Sequence, residues 1–241
     1  MTTSERDRHG QEIGHEHRDV SGGWLRPAVF GAMDGLVTNV SLIAGVGGGG
    51  GSQHAIVLTG LAGLAAGAFS MAAGEYVSVT SQNELVGSEV DKERHELSTN
   101  AVAEQDELVG MLRESGLTAE TAKKAAAEIS AHPDKALAVH AMQELGIDPG
   151  ELPSPYVAAG ASLLSFAIGA IIPLLPFALG SDSLWIALAL SALAAVVGGG
   201  LVARLTNRPF WKGALRQLLL GTAAAGLTYL IGLAVGGMAA T

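Results

Sequence analysis

Long apolar stretches separated by short polar breaks make up most of the chain. A helix rises about 1.5 Å per residue, so about 20 apolar residues are needed to cross the hydrocarbon core of a bilayer. Five stretches reach this length. They predict an all-α membrane protein with five transmembrane helices, at residues 27–47, 55–79, 156–179, 184–203 and 213–238.

The segment between the second and third apolar stretches has a different pattern. It is polar and rich in Ala, and residues 84–97 continue the helical pattern of the second stretch. The polar residues 98–100 can cap a following helix, and Thr118 can cap another. Pro133 fits the first turn of a last helix that ends at Gly146. These signals predict a compact helical domain inserted between transmembrane helices 2 and 3.

Charge is concentrated in this inserted segment. Only 15% of the 241 residues are charged, against roughly 25% in soluble domains, yet the formal net charge is −9. Residues 80–155 hold six cationic and fifteen acidic side chains, which accounts for the whole net charge. The chain is therefore divided into a polar tail (1–25), transmembrane helices 1 and 2 (26–83), an acidic helical domain (84–152) and transmembrane helices 3 to 5 (153–241).

The composition excludes several classes of protein. A net acidic balance without a basic stripe argues against a nucleic-acid partner. The chain has no Cys, which excludes disulfides and Cys-ligated zinc or iron–sulfur sites. The glycine run at 47–51 lacks the Lys-Ser/Thr of a phosphate-binding loop, and no nucleophile motif is present. We therefore expect neither an enzyme nor an organic cofactor.

The positions of Lys and Arg predict the orientation in the membrane. Of the fourteen, four precede the first apolar stretch, six lie in the insert, and four lie at residues 204–216, between the fourth stretch and the first turn of the fifth. The links at 47–54 and 180–183, which fall on the opposite side, contain none. Because cytoplasmic loops carry an excess of Lys and Arg, the N-terminus and the insert are expected in the cytoplasm and the C-terminus outside.

Two acidic residues lie within the apolar stretches, Asp34 in the first and Glu75 in the second. An ionisable group in a bilayer usually faces a cavity, an ion path or a partner charge. Met71 precedes Glu75 by four residues and shares its helical face. A thioether beside carboxylates suits Fe²⁺ better than Mg²⁺ or Ca²⁺. Alternatively, Asp34 pairs with Arg26 or snorkels, Glu75 is interfacial and Met71 fills the core.

The insert contains two E-x-x-E pairs, Glu93 with Glu96 and Glu104 with Glu107. Residues three apart lie on one helical face, so each pair can present two carboxylates to one cation. The alternative interpretation is a solvated acidic surface without a metal.

Several segments together resemble the vacuolar iron transporter family. They are MDGLVTNVSLIAGV (33–46), FSMAAGEYVSVTSQNE (69–84), ERHE (93–96), EQDE (104–107), HPDKALAVHAMQELGIDP (132–149) and RQLLLGTAAAGLTYLIG (216–232). The resemblance covers nearly all of the chain from Arg26 onward. It implies a homodimer that exchanges cytosolic Fe²⁺ for protons, with Asp34 and Met71 as the membrane metal site and Glu75 nearby. It also implies a cytoplasmic site formed by Glu93, Glu96, Glu104, Glu107 and Glu144.

The last insert helix departs from the family pattern. Where members often carry a Met pair, this chain has His140 and Ala141, followed by Met142. His140 and Glu144 are four residues apart and can reach one site. A neutral imidazole binds Fe²⁺, Co²⁺, Ni²⁺ and Zn²⁺ well, so the metal preference can differ from that of the family. The alternative is that His140 is exposed and has no role.

Two functions follow as hypotheses. The first is an Fe²⁺/proton antiporter, with Mn²⁺, Co²⁺, Ni²⁺ or Zn²⁺ as further candidate substrates. Its partners are metal ions, protons and the lipid bilayer, and the resemblance adds a second copy of the chain. It would occupy the cell (inner) membrane of a bacterium or the vacuolar membrane of a eukaryote. The second is a membrane-anchored metal-binding, iron-storage or sensor protein that transports nothing.

Overall fold

The computed structural model describes residues 23–239, and every ordered element in that range is helical. Within this range, five helices are long and apolar enough to cross a membrane, which confirms the predicted number. The helices are α1 (Leu25–Gly48), α2 (Gln53–Thr99), α3 (Ala101–Glu114), α4 (Ala119–Ser130), α5 (Pro133–His140), a π-helical turn (Ala141–Leu145), α6 (Pro155–Ile171), a 3₁₀ turn (Ile172–Leu174), α7 (Leu175–Ala178), α8 (Leu184–Leu205) and α9 (Phe210–Ala239).

Helix α2 is much longer than a bilayer requires. It has 47 residues, whereas about 20 residues span the hydrocarbon core. The helix therefore continues past its apolar part without a break, as predicted for residues 84–97. Its second half joins the short helices α3, α4 and α5, so one rigid element carries residues of both the apolar part and the insert.

The insert helices lie where the sequence predicts them, but one capping prediction is wrong. Asn100 precedes α3 without a side-chain hydrogen bond to it. Instead, the hydroxyls of Ser98 and Thr99 donate to the carbonyl of His95, at 2.7 and 2.9 Å, and so close the end of α2. The capping prediction for α4 is confirmed, because the Thr118 hydroxyl accepts a hydrogen bond from the backbone N–H of Thr121 at 3.3 Å.

Helix α1 is the centre of the membrane part and packs against α2, α6, α8 and α9. Close approach is possible because glycines lie at the contacts. A Cβ at Gly35 would collide with the backbone of Phe166 on α6, and a Cβ at Gly232 on α9 would collide with the backbone of Gly45 on α1. Small residues of this kind let membrane helices pack backbone to backbone.

The third apolar segment is broken near its end. Helix α6 ends at Ile171, and the chain passes through the 3₁₀ turn containing Pro173 into the short helix α7. Proline has no backbone N–H to donate, so a regular helix is interrupted there. The buried side chain of Asn39 on α1 donates to the carbonyl of Ala170, next to the break.

Candidate metal sites

Three carboxylates of the insert converge on one histidine nitrogen. The Nδ1 atom of His140, at the end of α5, lies 3.0 Å from Oε1 of Glu93 on α2 and 3.8 Å from Oε2 of Glu104 on α3. Oε1 of Glu144, in the π-helical turn, lies 3.2 Å from the same nitrogen. We call Glu93, Glu104, His140 and Glu144 the insert cluster.

The insert cluster lies largely inside the protein. His140 is fully buried, so the alternative that it is exposed is wrong. The side chains of Glu93 and Glu104 are each 9% exposed, whereas Glu144 reaches solvent at 32%. Beside the cluster, Val86, Val90 and Ala141 form a small apolar core with three further side chains, Leu137, Leu145 and Ile147. This packing fixes α5 and the π-helical turn against α2.

Burial and neighbouring like charges disfavour the ionised form of the cluster's buried carboxylates when no cation is bound. The pKa of Glu93 is raised, first by burial and then by the negative charge of Glu144, while His140 acts in the opposite direction. The pKa of Glu104 is raised by burial and then by Glu107. A bound cation would remove both penalties, because it replaces lost hydration and neutralises the repulsion.

The ligand types of the cluster suit a divalent transition metal. Glu93, Glu104 and His140 each offer one ligand atom, and these atoms lie within 4.8 Å of one another. Metal–ligand bonds to imidazole nitrogen and carboxylate oxygen are about 2.0–2.2 Å long. Opposed ligands on one ion are therefore about 4 Å apart, so shifts of less than about 1 Å would close the set around a cation.

The structure separates the other predicted insert residues from this cluster. Glu96 and Glu107 are exposed, so each E-x-x-E pair has one buried and one exposed member. Both exposed carboxylates still lie close enough to raise the pKa of a buried partner. Met142 is 47% exposed and is not part of the cluster.

In the apolar part, Asp34, Met71 and Glu75 have distinct surroundings. The Thr38 hydroxyl donates to Oδ1 of Asp34 at 3.3 Å, one turn further along α1. Met71 is partly buried against Phe166 and its neighbours. Glu75 pairs with Arg26 at 3.8 Å, although the arginine is 84% exposed. Arg26 therefore contacts Glu75, and not Asp34 as the alternative interpretation had it.

The two regions are connected through α2. Glu75 and Glu93 are 18 residues apart on this helix, which corresponds to about 27 Å along its axis. The insert cluster thus lies well beyond the apolar part, on the same rigid element as Met71 and Glu75.

Comparison with known proteins identifies the family. The chain matches the VIT family over residues 25–233. It is 36% identical to a vacuolar iron transporter of Acanthamoeba castellanii over 191 residues, which cover 78% of this chain and 67% of that protein. It is also 36% identical to vacuolar iron transporter homolog 1 of Arabidopsis thaliana over 216 residues, which cover 87% and 84% of the two chains. The chain belongs to the VIT family. The resemblance inferred from the motifs is thereby confirmed, and every candidate site residue lies within the part that matches the VIT family.

Membership of the VIT family agrees with the five long apolar helices and describes an integral membrane protein of a transporter family. Three structural features near the candidate sites were not expected from the sequence. They are the Arg26–Glu75 ion pair, the π-helical turn that carries Glu144, and buried Asn39 in α1. Asn39 could have been noticed as an amide within an apolar stretch. The other two depend on contacts between or within helices that residue spacing does not specify.

Proposed function

We propose that the protein moves Fe²⁺ out of the cytoplasm in exchange for protons. The insert cluster captures the metal, and Asp34, Met71 and Glu75 form the site within the membrane. The observation that carries this proposal is that buried Glu104 and His140 meet Glu93 of α2, the helix that also bears Met71 and Glu75. Relatives named vacuolar iron transporters support iron as the substrate.

The capture step follows from charge. The insert holds an excess of nine acidic side chains, and such a field raises the local concentration of cations. A cation that reaches the insert cluster meets carboxylates whose raised pKa values reflect burial and repulsion. Metal binding there relieves the cost of keeping these groups ionised.

The translocation step requires a group that alternates between metal and proton. Asp34 is suited to this role because metal binding to a carboxylate displaces its proton. The Thr38 hydroxyl that donates to Asp34 orients the carboxylate within the helix packing. Met71 adds a thioether, which suits Fe²⁺ and disfavours Mg²⁺ and Ca²⁺.

For the arrangement in the membrane, we propose a cytoplasmic insert and a homodimer. The distribution of Lys and Arg supports the cytoplasmic side for the insert. Few residues in the apolar part of α2 are buried within one chain, which leaves a face for a second copy or for lipid. Cross-linking of the purified protein in lipid nanodiscs measures the oligomeric state directly, and a dimer is the expected result.

Flux through proteoliposomes tests the proposal. Liposomes containing the full chain are given a pH gradient, and Fe²⁺ uptake and lumenal pH are followed together. The wild type should couple uptake to proton release, and Asp34→Asn should abolish both. Asp182→Asn is the matched control, because this aspartate lies exposed between α7 and α8. Normal flux in Asp34→Asn would refute the role of Asp34, and binding without any flux in the wild type would favour the storage function.

A further inference from the structure

We propose that His140 is the specificity-determining ligand of the insert cluster, and that it coordinates the cation through Nδ1. It would make the cluster select for Fe²⁺, Co²⁺, Ni²⁺ and Zn²⁺ over Mn²⁺, Mg²⁺ and Ca²⁺. The inference deepens the proposed function, on which it rests for the statement that the cluster captures a cation.

The contacts around Nδ1 exceed what a hydrogen bond needs. Oxygens of Glu93, Glu104 and Glu144 lie 3.0, 3.8 and 3.2 Å from this one atom. A neutral imidazole nitrogen carries at most one proton, so it can donate to only one of them. The hydrogen bond of Nδ1 is the one with Oε1 of Glu144. Oε1 of Glu93 is buried and lies nearer to Nδ1, yet it has no hydrogen-bond partner among the described residues. Carboxylates grouped around a nitrogen in this way form a ligand set for a cation.

The competing explanation is a histidine that serves only to fill the core. Buried polar atoms of that kind are normally hydrogen-bonded. The second ring nitrogen, Nε2, is also buried and has no hydrogen-bond partner in the described part of the chain. The polar contacts of the ring are therefore all on the Nδ1 side, where the three carboxylates lie, and the rest of the ring is held by packing. This orientation is expected of a ligand.

The π-helical turn contributes Glu144 to the set. It follows His140 directly and ends at Leu145. The next residue is Gly146, whose φ of +66° is readily adopted by glycine. Single π turns within helices occur frequently at functional sites. Here the turn holds Oε1 of Glu144 within 3.2 Å of Nδ1, so the least buried acid of the cluster faces the same point as the two inner ones.

Selectivity follows from the single nitrogen. Mg²⁺ and Ca²⁺ prefer sites made entirely of oxygen, and affinity for nitrogen ligands rises from Mn²⁺ through Fe²⁺ and Co²⁺ to Ni²⁺. The exposed carboxylates of Glu96 and Glu107 offer oxygen only. Loss of the imidazole should therefore weaken the binding of the later transition metals strongly and the binding of the oxygen-preferring ions little.

The test is a competition titration of the purified full chain against a fluorescent chelator, with Zn²⁺, Co²⁺, Mn²⁺ and Ca²⁺. His9, His15 and His17 are changed to Gln in every sample, so that only histidines after residue 17 can contribute nitrogen. We compare the parent with His140→Gln. His132→Gln is the matched control, because it removes an exposed histidine from the same part of the insert.

His140→Gln should weaken Zn²⁺ and Co²⁺ binding by about 10- to 100-fold, the range seen when groups that support a metal site are removed. Mn²⁺ and Ca²⁺ binding should change by less than about threefold, and His132→Gln should bind all four ions as the parent does. An equal loss for all four ions in His140→Gln would overturn the inference, as would no loss at all.

A spectroscopic measurement covers the case in which His140→Gln does not fold, as judged by circular dichroism and gel filtration. Electron spin-echo spectroscopy of the Cu²⁺-loaded parent should show the modulation of a coordinated imidazole nitrogen. The signal should persist in His132→Gln, and its absence from the parent overturns the inference. The two proposals can be refuted separately. Absence of Fe²⁺ flux in the wild type would refute the proposed function, whereas the selectivity is refuted by the binding measurements alone.

Discussion

Replacing Glu104 by Gln should stabilise the metal-free insert and destabilise the metal-loaded one. The glutamine keeps the shape of the side chain and removes its charge. Ligand atoms of Glu104 and Glu93 lie within 4.8 Å of each other. Two unit charges at that separation repel by about 3.5 kcal/mol at an effective dielectric constant of 20. Solvent near the cluster and partial protonation reduce this, so we expect a gain of about 1–2 kcal/mol without metal.

The metal-loaded state should respond in the opposite direction. A ligand present at 100 times its Kd stabilises the folded state by about 2.7 kcal/mol. Loss of one carboxylate ligand should weaken binding by at least about 100-fold, the upper end of what loss of a supporting residue costs. At the same metal concentration the stabilisation then falls to about 0.4 kcal/mol. The metal-induced shift in Glu104→Gln should therefore nearly vanish.

Hydrogen exchange measured by mass spectrometry is the suitable assay, because it reports local opening of α3 and α5 in the full chain. Tryptophan fluorescence would not report on the insert, since the three tryptophans lie outside it, at positions 24, 185 and 211. Glu128→Gln on α4 is the control and should leave both states unchanged, because Glu128 is exposed and outside the cluster. Faster exchange of metal-free Glu104→Gln, or an intact metal-induced shift, would refute the reasoning.

Two further predictions concern pH and packing. The raised pKa values of Glu93 and Glu104 mean that the folded state binds protons more tightly than the unfolded state, whose carboxyls titrate near 4.5. As the pH falls from neutral toward 5, the metal-free wild type should therefore gain stability relative to a variant with both residues changed to Gln. Hydrogen exchange of the insert helices measures this difference, and a loss of relative stability at the lower pH would contradict the prediction. Gly35→Ala should lower the thermal midpoint in detergent, because its methyl group meets the backbone of Phe166; overpacking costs about 1–3 kcal/mol. Gly226→Ala, which meets nothing within 4 Å, should raise the midpoint slightly, and a lower midpoint there would contradict the packing argument.

The membrane part of the fold was predictable because the bilayer imposes a simple rule. About 20 apolar residues in sequence are needed for each crossing, and all five stretches that met this length are helices. Their ends moved by a few residues at most, except at the break after Ile171 in the third stretch and at the end of α2. Helix α2 runs on to Thr99 because no proline interrupts it, and residues 84–97 carry the helical pattern into the insert.

The insert cluster was only partly predictable. The candidates included Glu93, Glu104, His140 and Glu144, but spacing along one helix pairs Glu93 with Glu96 and Glu104 with Glu107. The structure instead buries one member of each pair and joins these across three helices. Such contacts depend on how α2, α3 and α5 pack, which residue spacing within a helix does not determine.

The capping error at residues 98–100 has a related cause. Ser and Thr hydroxyls accept hydrogen bonds at the start of a helix, and they can equally donate to carbonyls one turn back at the end of one. Both helix ends lie within three residues here, so composition alone could not decide between them. The structure uses Ser98 and Thr99 at the end of α2.

The separation of capture from translocation is tested most directly by measuring metal stoichiometry and Fe²⁺ flux on the same preparations. The samples are the wild type, a Glu93→Gln/Glu104→Gln double variant, and Asp34→Asn. The double variant should lose metal from the insert and transport slowly at low Fe²⁺, with flux recovering at high Fe²⁺. Asp34→Asn should keep the metal of the insert and transport nothing at any Fe²⁺ concentration. Full flux in Asp34→Asn, or unchanged metal content in the double variant, would contradict the account.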